Sequence, residues 1–317
     1  MTRTVLRVPD SVWDPLAKEV PWEALAGRRR RPPAPTAVQA IATAITTISV
    51  LLLGFAVYIG FVARLHHDRA QFTSFANFRQ ELALGTAPTG QTVPGDPTRL
   101  LALGAPVAVL TIPALGLNEV VFEGTTGAVM EKGPGHLRST PLPGQAGTSE
   151  IMGRSTTYGG PFGNLASLIP GDRFTVTTGQ GVHQYTVLDI RRAGYPQPAP
   201  PAAGHGRLVL ATADGGPFAP EGVLRVDADL TSPPQEAAAR VLTSSRLSSA
   251  EQALASDRSA WFWLVIVGEA LIIAVGLVAW TRVTWGRWQT WLIAVPVLGF
   301  FGLAVADQAA RLLPNVL

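Results

Sequence analysis

The chain has no cysteine among its 317 residues. This absence excludes disulfide bonds, thiolate metal ligands and any cysteine nucleophile. Charged residues are also scarce, at 15% of the chain, whereas hydrophobic residues make up 47%. So low a charged share is unusual in a soluble protein of this length, so membrane-spanning segments are expected. The five histidines show no spacing typical of a metal site, and no motif predicts a cofactor.

Three long apolar segments predict transmembrane helices. The first, residues 37–63, carries no charge and is longer than a helix needs to cross a hydrocarbon core of about 30 Å. Two more lie near the end of the sequence, at residues 260–281 and 288–306. Four arginines at residues 28–31 precede the first segment, so the positive-inside rule places the N-terminus in the cytoplasm. A multi-pass protein of the plasma membrane is predicted.

These spans divide the rest of the chain into parts with different environments. The arginine-rich run before the first span is expected to set the orientation and to contact anionic lipid, and nucleic acid is not a predicted partner. The predicted parts outside the spans are a cytoplasmic tail (1–36), a membrane-proximal helix and linker (64–99), a β-barrel (100–232), a helical linker (233–259), a cytoplasmic turn (282–287) and an extracytoplasmic C-terminus (307–317).

Glu269 lies within the second predicted span. A carboxylate at that depth is costly and therefore needs a partner or a proton. One interpretation is a contact with a polar group on another helix, in this chain or in a partner protein. The other is a protonated side chain hydrogen-bonded within the chain's own three-helix cluster, and both interpretations stay open.

Residues 100–232 are predicted to be rich in β-strands. Short apolar runs alternate there with turn signals, which is typical of an all-β domain. The sequence GQGV at residues 179–182 is a predicted hairpin turn. Together the runs favour a closed or nearly closed β-barrel. The seven predicted strands are PVAVLTIP, NEVVFEG, SEIMG, DRFTVTTG, HQYTVLDI, RLVLATA and GVLRVDADL.

Four longer stretches of the sequence resemble one known family. They are TIPALGLNEVVFEGTT, KGPGHLRSTPLPGQAGTSEIMG, TTYGGPFGNLASLIPGDRFTVTTGQG and RLVLATADGGPF. In this order and spacing they resemble the sortases, in particular the class E type of actinobacteria, over about residues 105–231. The resemblance implies a mainly β fold: an eight-stranded sortase-type barrel outside the membrane, here combined with three transmembrane α-helices.

The same resemblance implies three catalytic positions, and the sequence departs from the family at each. Sortases use a cysteine, a histidine and an arginine to cleave a sorting signal and transfer the acyl group. In the strand-end motif MGRSTTYG, Arg154 stands at the position of the histidine. In the strand LVLATA, Ala213 stands at the position of the cysteine. Val223 stands in the register of the arginine, and Arg225 follows two residues later, on the same side of a strand.

These departures predict a groove without sortase chemistry. Arginine does not shuttle protons and alanine is not a nucleophile, so the cysteine mechanism is excluded. Arg154 and Asp214 are hypothesised to pair across the old site and form a polar pocket; the alternative is that both are solvated and the groove is vestigial. The candidate groove residues are Arg154, Ser155, Tyr158, Thr212, Asp214 and Arg225.

Three functions follow from this interpretation. The first is a catalytically inactive scaffold or binding subunit at the bacterial cell envelope, with another envelope or membrane protein as its partner. The second is a hydrolase or acyltransferase with a non-cysteine site around Ser155, Thr212 and Asp214. The third is capture of a sorting-signal-like peptide by the barrel.

Overall fold

The computed structural model describes residues 45, 49–216, 219–239, 241–284 and 287–317. Residues Leu51–Leu317 form one compact unit. Residues 1–44 and 46–48 lie outside the described residues. They comprise the predicted cytoplasmic tail and most of the N-terminal half of the first predicted span.

Among the described residues, three helices are long and apolar enough to cross a membrane, as predicted. Helix α1, Ser49–Leu84, continues well beyond its apolar part and contains a π-helical turn at Tyr58–Val62. Helix α3, Ala260–Thr284, and helix α4, Arg287–Arg311, lie near the end of the chain and pack against each other. The predicted helix rising from the first span is therefore confirmed as the second half of α1. It ends at Gly85, which adopts a left-handed conformation with φ of 67°.

Eight strands form the closed barrel that the fold prediction expected. Their order around the barrel is β10-β8-β7-β3-β4-β5-β6-β9, and a separate hairpin, β1–β2, precedes them. The strands are β1 Thr92–Val93, β2 Asp96–Leu100, β3 Pro106–Ile112, β4 Leu117–Glu123, β5 Gly135–His136, β6 Gly147–Met152, β7 Arg173–Thr178, β8 Gly181–Arg191, β9 Gly206–Gly216 and β10 Ala219–Leu230.

Alternating side chains give the barrel two kinds of apolar surface. Residues such as Leu210, Leu224 and Ile151 fill the interior core, together with the stacked rings of Phe174 and Tyr185, whose centroids are 5.5 Å apart. Their neighbours on the same strands point the other way, because successive side chains of a strand alternate. A second cluster of Met130, Met152, Ala211, Val223 and Val316 forms on that outer side. The site described below is built on this outer cluster.

The predicted hairpin between β7 and β8 is confirmed. Thr178 pairs with Gly181, so a two-residue loop connects the strands. The eighth strand, β5, was not predicted because it has only two residues. It pairs in parallel with β4 and antiparallel with β6. A Cβ atom on Gly135 would lie 2.2 Å from the carbonyl oxygen of Gly124, so only glycine fits there.

The prediction of a helical linker at 233–259 is wrong for the residues that the structure describes. They contain only two 3₁₀ turns, Ser244–Arg246 and Ser249–Glu251. The segment runs along the barrel, and tertiary hydrogen bonds take the place of helical ones: the Gln91 side chain accepts from the amides of Val241 and Leu242, both at 2.8 Å. Local helix propensity is weak enough to be overridden in this way.

A short 3₁₀ helix, Leu165–Ser167, lies between β6 and β7. A four-residue helix, α2 at Gly127–Met130, follows β4 and covers part of the outer cluster. It places Met130 and Glu131 beside the ends of β6 and β9, where the candidate site lies.

Candidate binding groove

The candidate site is a groove on the outer face of the barrel, formed by residues 153–158, the β9 segment 211–213, Val223 and Met130. Strands β6 and β9 run in parallel here, with Met152 opposite Ala211. Ala213 lies opposite Val223 of β10. The structure thus brings Ala213 and Val223 together, as the family resemblance implied. Their surroundings are apolar and aliphatic.

Arg154 is buried under the groove, with only 1% of its surface exposed. Its guanidinium donates to Thr157 Oγ1 at 3.0 Å and to the carbonyl oxygen of Gly127 at 3.2 Å. Its Nε has no partner among the described residues. Burial lowers the pKa of the guanidinium, whereas Tyr158 and Glu131 oppose that shift. An arginine nonetheless remains a cation at any ordinary pH, so it cannot act as an acid or base here.

Tyr158 packs against the Arg154 guanidinium and connects the groove to the membrane helices. The Arg154 Cζ lies 4.8 Å from the centre of the Tyr158 ring, within cation–π range. Tyr158 is buried in a cluster with Tyr58 of α1 and with Ala306 and Ala310 of α4. It is the one non-glycine residue with positive φ, 51°, in the described ranges. This strained backbone turns the loop after β6 toward the helices.

The hypothesised pair of Arg154 and Asp214 does not exist in the structure. Asp214 is partly exposed and faces Arg192 instead, with the Arg192 Nε 3.7 Å from its carboxylate. The physical reason is strand alternation: Asp214 follows Ala213 directly on β9, so their side chains point to opposite faces. Arg154 is satisfied by Thr157 and Gly127, and the groove floor has no ion pair in the part of the chain that the structure describes.

Three further candidate residues have structural or peripheral roles. Thr212 donates from Oγ1 to the carbonyl oxygen of Gly153 at 2.9 Å, which ties β9 to the loop after β6. The Ser155 hydroxyl contacts the Thr156 hydroxyl at 3.3 Å, and no histidine hydrogen-bonds to it among the described residues. A serine without a neighbouring base is not activated as a nucleophile. Arg225 lies further along β10, outside the apolar cluster.

A charged array continues the outer face beyond the apolar cluster. It consists of Glu150 on β6, Arg225 and Asp227 on β10, and Arg191 on β8. The buried Arg191 and Asp227 form a bidentate pair, and Arg191 Nη2 donates to Asp227 Oδ1 at 3.0 Å. Burial raises the pKa of Glu150, and the charges of Arg225 and Arg191 oppose this rise. The array marks the polar end of the groove.

The groove is occupied by the chain's own segment Asn315–Leu317. All three residues are buried, with at most 1% of their surface exposed. Val316 belongs to the apolar cluster of the groove. Residues 307–317 were predicted only to lie outside the cytoplasm, and their contact with the groove was not predicted. Two aliphatic residues that follow a polar helix end and Pro314 were the available signal.

A cavity of about 560 Å³ opens beside Asn315, between the start of α2 and the segment 249–258. Polar residues such as Ser249 and Gln252 line it together with apolar ones such as Leu254 and Ala255. No group of three or more histidine or acidic side chains converges to hold a metal ion in the described part of the chain. The cavity lies beside the groove and has a lining of mixed polarity.

Glu269 lies on α3 with an exposed side chain. Neither a hydrogen bond nor an ion pair joins it to another described residue, whereas α3 packs on α4 through its small and aliphatic residues, such as Ala270, Ala274 and Leu277. The interpretation of a hydrogen bond within the chain's own cluster gains no support from this position. A contact with a polar group of another protein stays a prediction.

The family profile described as the sortase domain matches residues 110–215. Sortase E from Streptomyces avermitilis is 30% identical; the match covers 42% of this chain and 91% of that one, with a TM-score of 0.35. Sortase C-1 from Actinomyces oris is 26% identical, covering 40% and 75%, with a TM-score of 0.35. The Clostridium perfringens sortase D5 transpeptidase is 20% identical, covering 52% and 99%, with a TM-score of 0.41. No curated protein gives a significant match.

Proposed function

Since the chain belongs to the sortase family, we propose that it is a catalytically inactive, membrane-anchored member that binds a peptide or protein at the bacterial cell envelope. The class E type is the subgroup that its motifs resemble. Three features support this proposal: a barrel with a groove, helices that are long and apolar enough to cross a membrane, and the lack of a thiol.

The single observation that carries the proposal is the absence of cysteine from the chain. Acyl transfer by the family mechanism needs a thiolate to attack the scissile carbonyl. Ala213, at the matching position, offers a methyl group that packs against aliphatic neighbours. Arg154, at the position matching the histidine, is buried beneath the groove and holds backbone and hydroxyl oxygens. Ala213 and Arg154 therefore suit a groove that binds a ligand and does not cleave a bond.

Three apolar helices also support a scaffold role. A single helix suffices to anchor a protein, so α3 and α4 supply additional surface within the membrane. Glu269 on α3 marks one exposed polar point on that surface. We propose an envelope or membrane protein as the partner of these helices, and the plasma membrane as the location, with the barrel and C-terminus extracytoplasmic.

The catalytic question is tested with the full chain in nanodiscs. LPxTG-like and LAxTG-like peptides are incubated with the protein and an amine acceptor, and products are followed by mass spectrometry. We expect no cleavage above a protein-free blank, while an active sortase cleaves in parallel. Turnover that disappears in Ser155→Ala would establish a non-cysteine enzyme instead and would overturn the proposal.

The binding role is tested by purification from the native membrane with a mild detergent, followed by cross-linking and mass spectrometry. We expect a companion in stoichiometric amount, and Glu269→Leu distinguishes a partner held through α3 from one held through the barrel. Repeated recovery of the protein alone contradicts the scaffold role. Specific retention of a peptide by the barrel would favour capture of a sorting-signal-like ligand.

A further inference from the structure

We propose that Asn315–Leu317 is an intramolecular ligand of the groove, and that the groove's external ligand is a peptide that adopts the same turn, with a small aliphatic side chain at the position of Val316. This inference rests on the proposed binding function, because it assigns a ligand class to the same groove. It goes further in stating that the chain itself competes for the site.

Backbone amides of the barrel hold the segment from one side. The carbonyl oxygen of Val316 accepts from the amide of Ser155 at 3.0 Å and from the amide of Ala213 at 3.3 Å. The Leu317 oxygen accepts from the two amides of residues 156–157, at 2.9 and 2.8 Å. Contacts of this kind do not depend on the identity of the bound side chains, so another peptide that adopts the same turn in this place can form them.

A small apolar pocket supplies the selectivity that the backbone contacts lack. The side chain of Val316 has no exposed surface. It packs against the apolar side chains of Met130, Met152, Ala211 and Val223. Burying a carboxylate there without a partner is strongly unfavourable. The pocket therefore accepts valine and similar aliphatic side chains and rejects acidic ones.

The segment 250–255 holds the ligand from the opposite side. The amide of Asn315 donates to the carbonyl oxygen of Ala255 at 2.8 Å. The Asn315 Nδ2 donates to the carbonyl oxygens of Ala250 and Gln252, at 2.7 and 2.9 Å. The ligand is thus hydrogen-bonded on two sides, and it closes on itself as a turn in which the Leu317 amide donates to the carbonyl oxygen of Pro314 at 3.0 Å. Of the three ligand residues, Asn315 is the one whose polar side chain is recognised through hydrogen bonds.

Helix α4 delivers the segment to the groove. The Tyr58 hydroxyl donates to Asp307 Oδ1 at 2.5 Å, and Arg311 Nε lies 3.6 Å from Glu131 Oε1. These contacts join the end of α4 to α1 and to the residue after α2. Beyond Arg311, hydrogen bonds and the burial of apolar side chains hold the segment, and a competing peptide reproduces both. The segment therefore leaves the groove reversibly when a competing peptide enters.

Release of the segment is measured with a single introduced thiol, because the chain has no cysteine of its own. Val316→Cys keeps a small apolar side chain in the pocket, and Ala166→Cys on the exposed 3₁₀ turn is the matched control. In the full chain in nanodiscs, we expect a water-soluble maleimide to react with the thiol of Val316→Cys at least about tenfold more slowly than with the thiol of the control. Equal rates would overturn the proposal.

Binding in trans is measured with a fluorescent peptide of the sequence Leu-Pro-Asn-Val-Leu. Val316→Asp prevents the segment from seating but leaves the groove intact, and Val182→Asp on the exposed side of β8 controls for the added charge. We expect saturable binding to Val316→Asp, at least about tenfold tighter than to the wild type or to Val182→Asp. The same peptide with aspartate in place of valine should not bind.

The two measurements keep this inference distinct from the proposed function. A folded Val316→Asp variant that fails to bind the peptide overturns the intramolecular ligand while leaving a partner at the helices untouched. Cleavage of the peptide by the protein contradicts the proposed function instead. If Val316→Asp does not fold, the thiol rates of the nearly isosteric Val316→Cys decide the matter.

Discussion

At the scale of single residues, Arg154 is unusual because arginine side chains are mostly exposed, whereas this one has a structural role inside the protein. It is fully buried and bridges the loop after β6 to α2 through Thr157 and Gly127. Removing it leaves a cavity and takes one donor away from the Thr157 hydroxyl and one from the carbonyl oxygen of Gly127. Arg154→Ala is expected to lower the free energy of unfolding by about 2–5 kcal/mol.

Thermal or denaturant unfolding of the purified protein checks this prediction. Arg192→Ala is the control, because Arg192 is more than half exposed and its contact with Asp214 is 3.7 Å long. A change of no more than about 0.5 kcal/mol is expected for it. Equal effects of the two substitutions would show that Arg154 is not a structural bridge.

Glu150 gives a pH dependence with a defined sign. Burial raises its pKa in the folded protein above its ordinary value of 4.5. A raised pKa means that the folded state favours the protonated form, so this group's stabilisation is complete below about pH 4.5 and is lost as the pH rises through the folded value. Glu150→Gln should therefore raise the unfolding temperature at pH 8, by a few degrees, and change it little near pH 4.

Unfolding temperatures of both proteins between pH 4 and 8 test this sign. Glu236→Gln, on an exposed residue of the segment after β10, is the matched control and should leave the profile unchanged. A constant difference between Glu150→Gln and the wild type across this range would contradict the prediction.

At this scale the sequence predicted positions better than roles. The motifs assigned Ala213 and Val223 to one site, and the strand register sets the two residues opposite each other. The motifs could not foresee that Asp214 turns away toward Arg192, because a side chain's partner depends on which strands lie across the barrel. The burial of Arg154 was equally hidden, since a buried arginine next to a tyrosine is indistinguishable in sequence from an exposed one.

At the scale of elements, α1 is fixed to the barrel by a polar clasp. The Gln71 side chain accepts from the amide of Val120 at 2.7 Å and donates to the carbonyl oxygens of Val120 and Lys132 at 3.1 and 2.8 Å. A side chain that pairs with an edge backbone in this way replaces part of a missing strand. Gln71→Leu should destabilise the contact by about 1–3 kcal/mol.

Hydrogen exchange at β4 reports on this clasp. We expect faster exchange of the Val120 amide in Gln71→Leu than in the wild type, with the strand order otherwise unchanged. Gln184→Leu, at an exposed position of β8, serves as the comparison. Unchanged exchange at Val120 would mean that α1 does not depend on Gln71 for its attachment.

Long and regular elements were predictable, and short ones were not. All seven predicted strand segments and the membrane helices have enough residues to show a period. Strand β5 has two residues and α2 has four, too few for any pattern. The segment after β10 was misassigned because its alanine-rich composition favours a helix, whereas Gln91 hydrogen-bonds its backbone in an extended path.

At the scale of the whole molecule, the orientation in the membrane remains a prediction from charge. The positive-inside rule places residues 1–36 and the turn between α3 and α4 in the cytoplasm, and the barrel outside. Single cysteines substituted for Ser11, Gly286 and Ala166 test it in a chain without other thiols. An impermeant maleimide should label the Ala166→Cys protein in intact cells, and the other two only after permeabilisation.

The opposite labelling pattern would contradict this topology. Labelling of all three proteins in intact cells would instead show leaky membranes, so a cytoplasmic marker protein with one exposed thiol is the control. The three spans themselves were visible from composition, because apolar runs of this length have few other uses. The joining of α4 to the groove was not, since it depends on three residues beyond the last span.

The short connection between α4 and Asn315 sets the strength of competition for the groove. Residues 312–314 span roughly 10 Å when extended, so the valine stays near its pocket even when the segment is released. A tether of this length gives an effective concentration in the millimolar range or above. A free peptide with the same intrinsic affinity would need a comparable concentration to enter. Peptides presented by a neighbouring membrane protein, which share the surface of the same bilayer, meet that requirement far more readily than soluble ones.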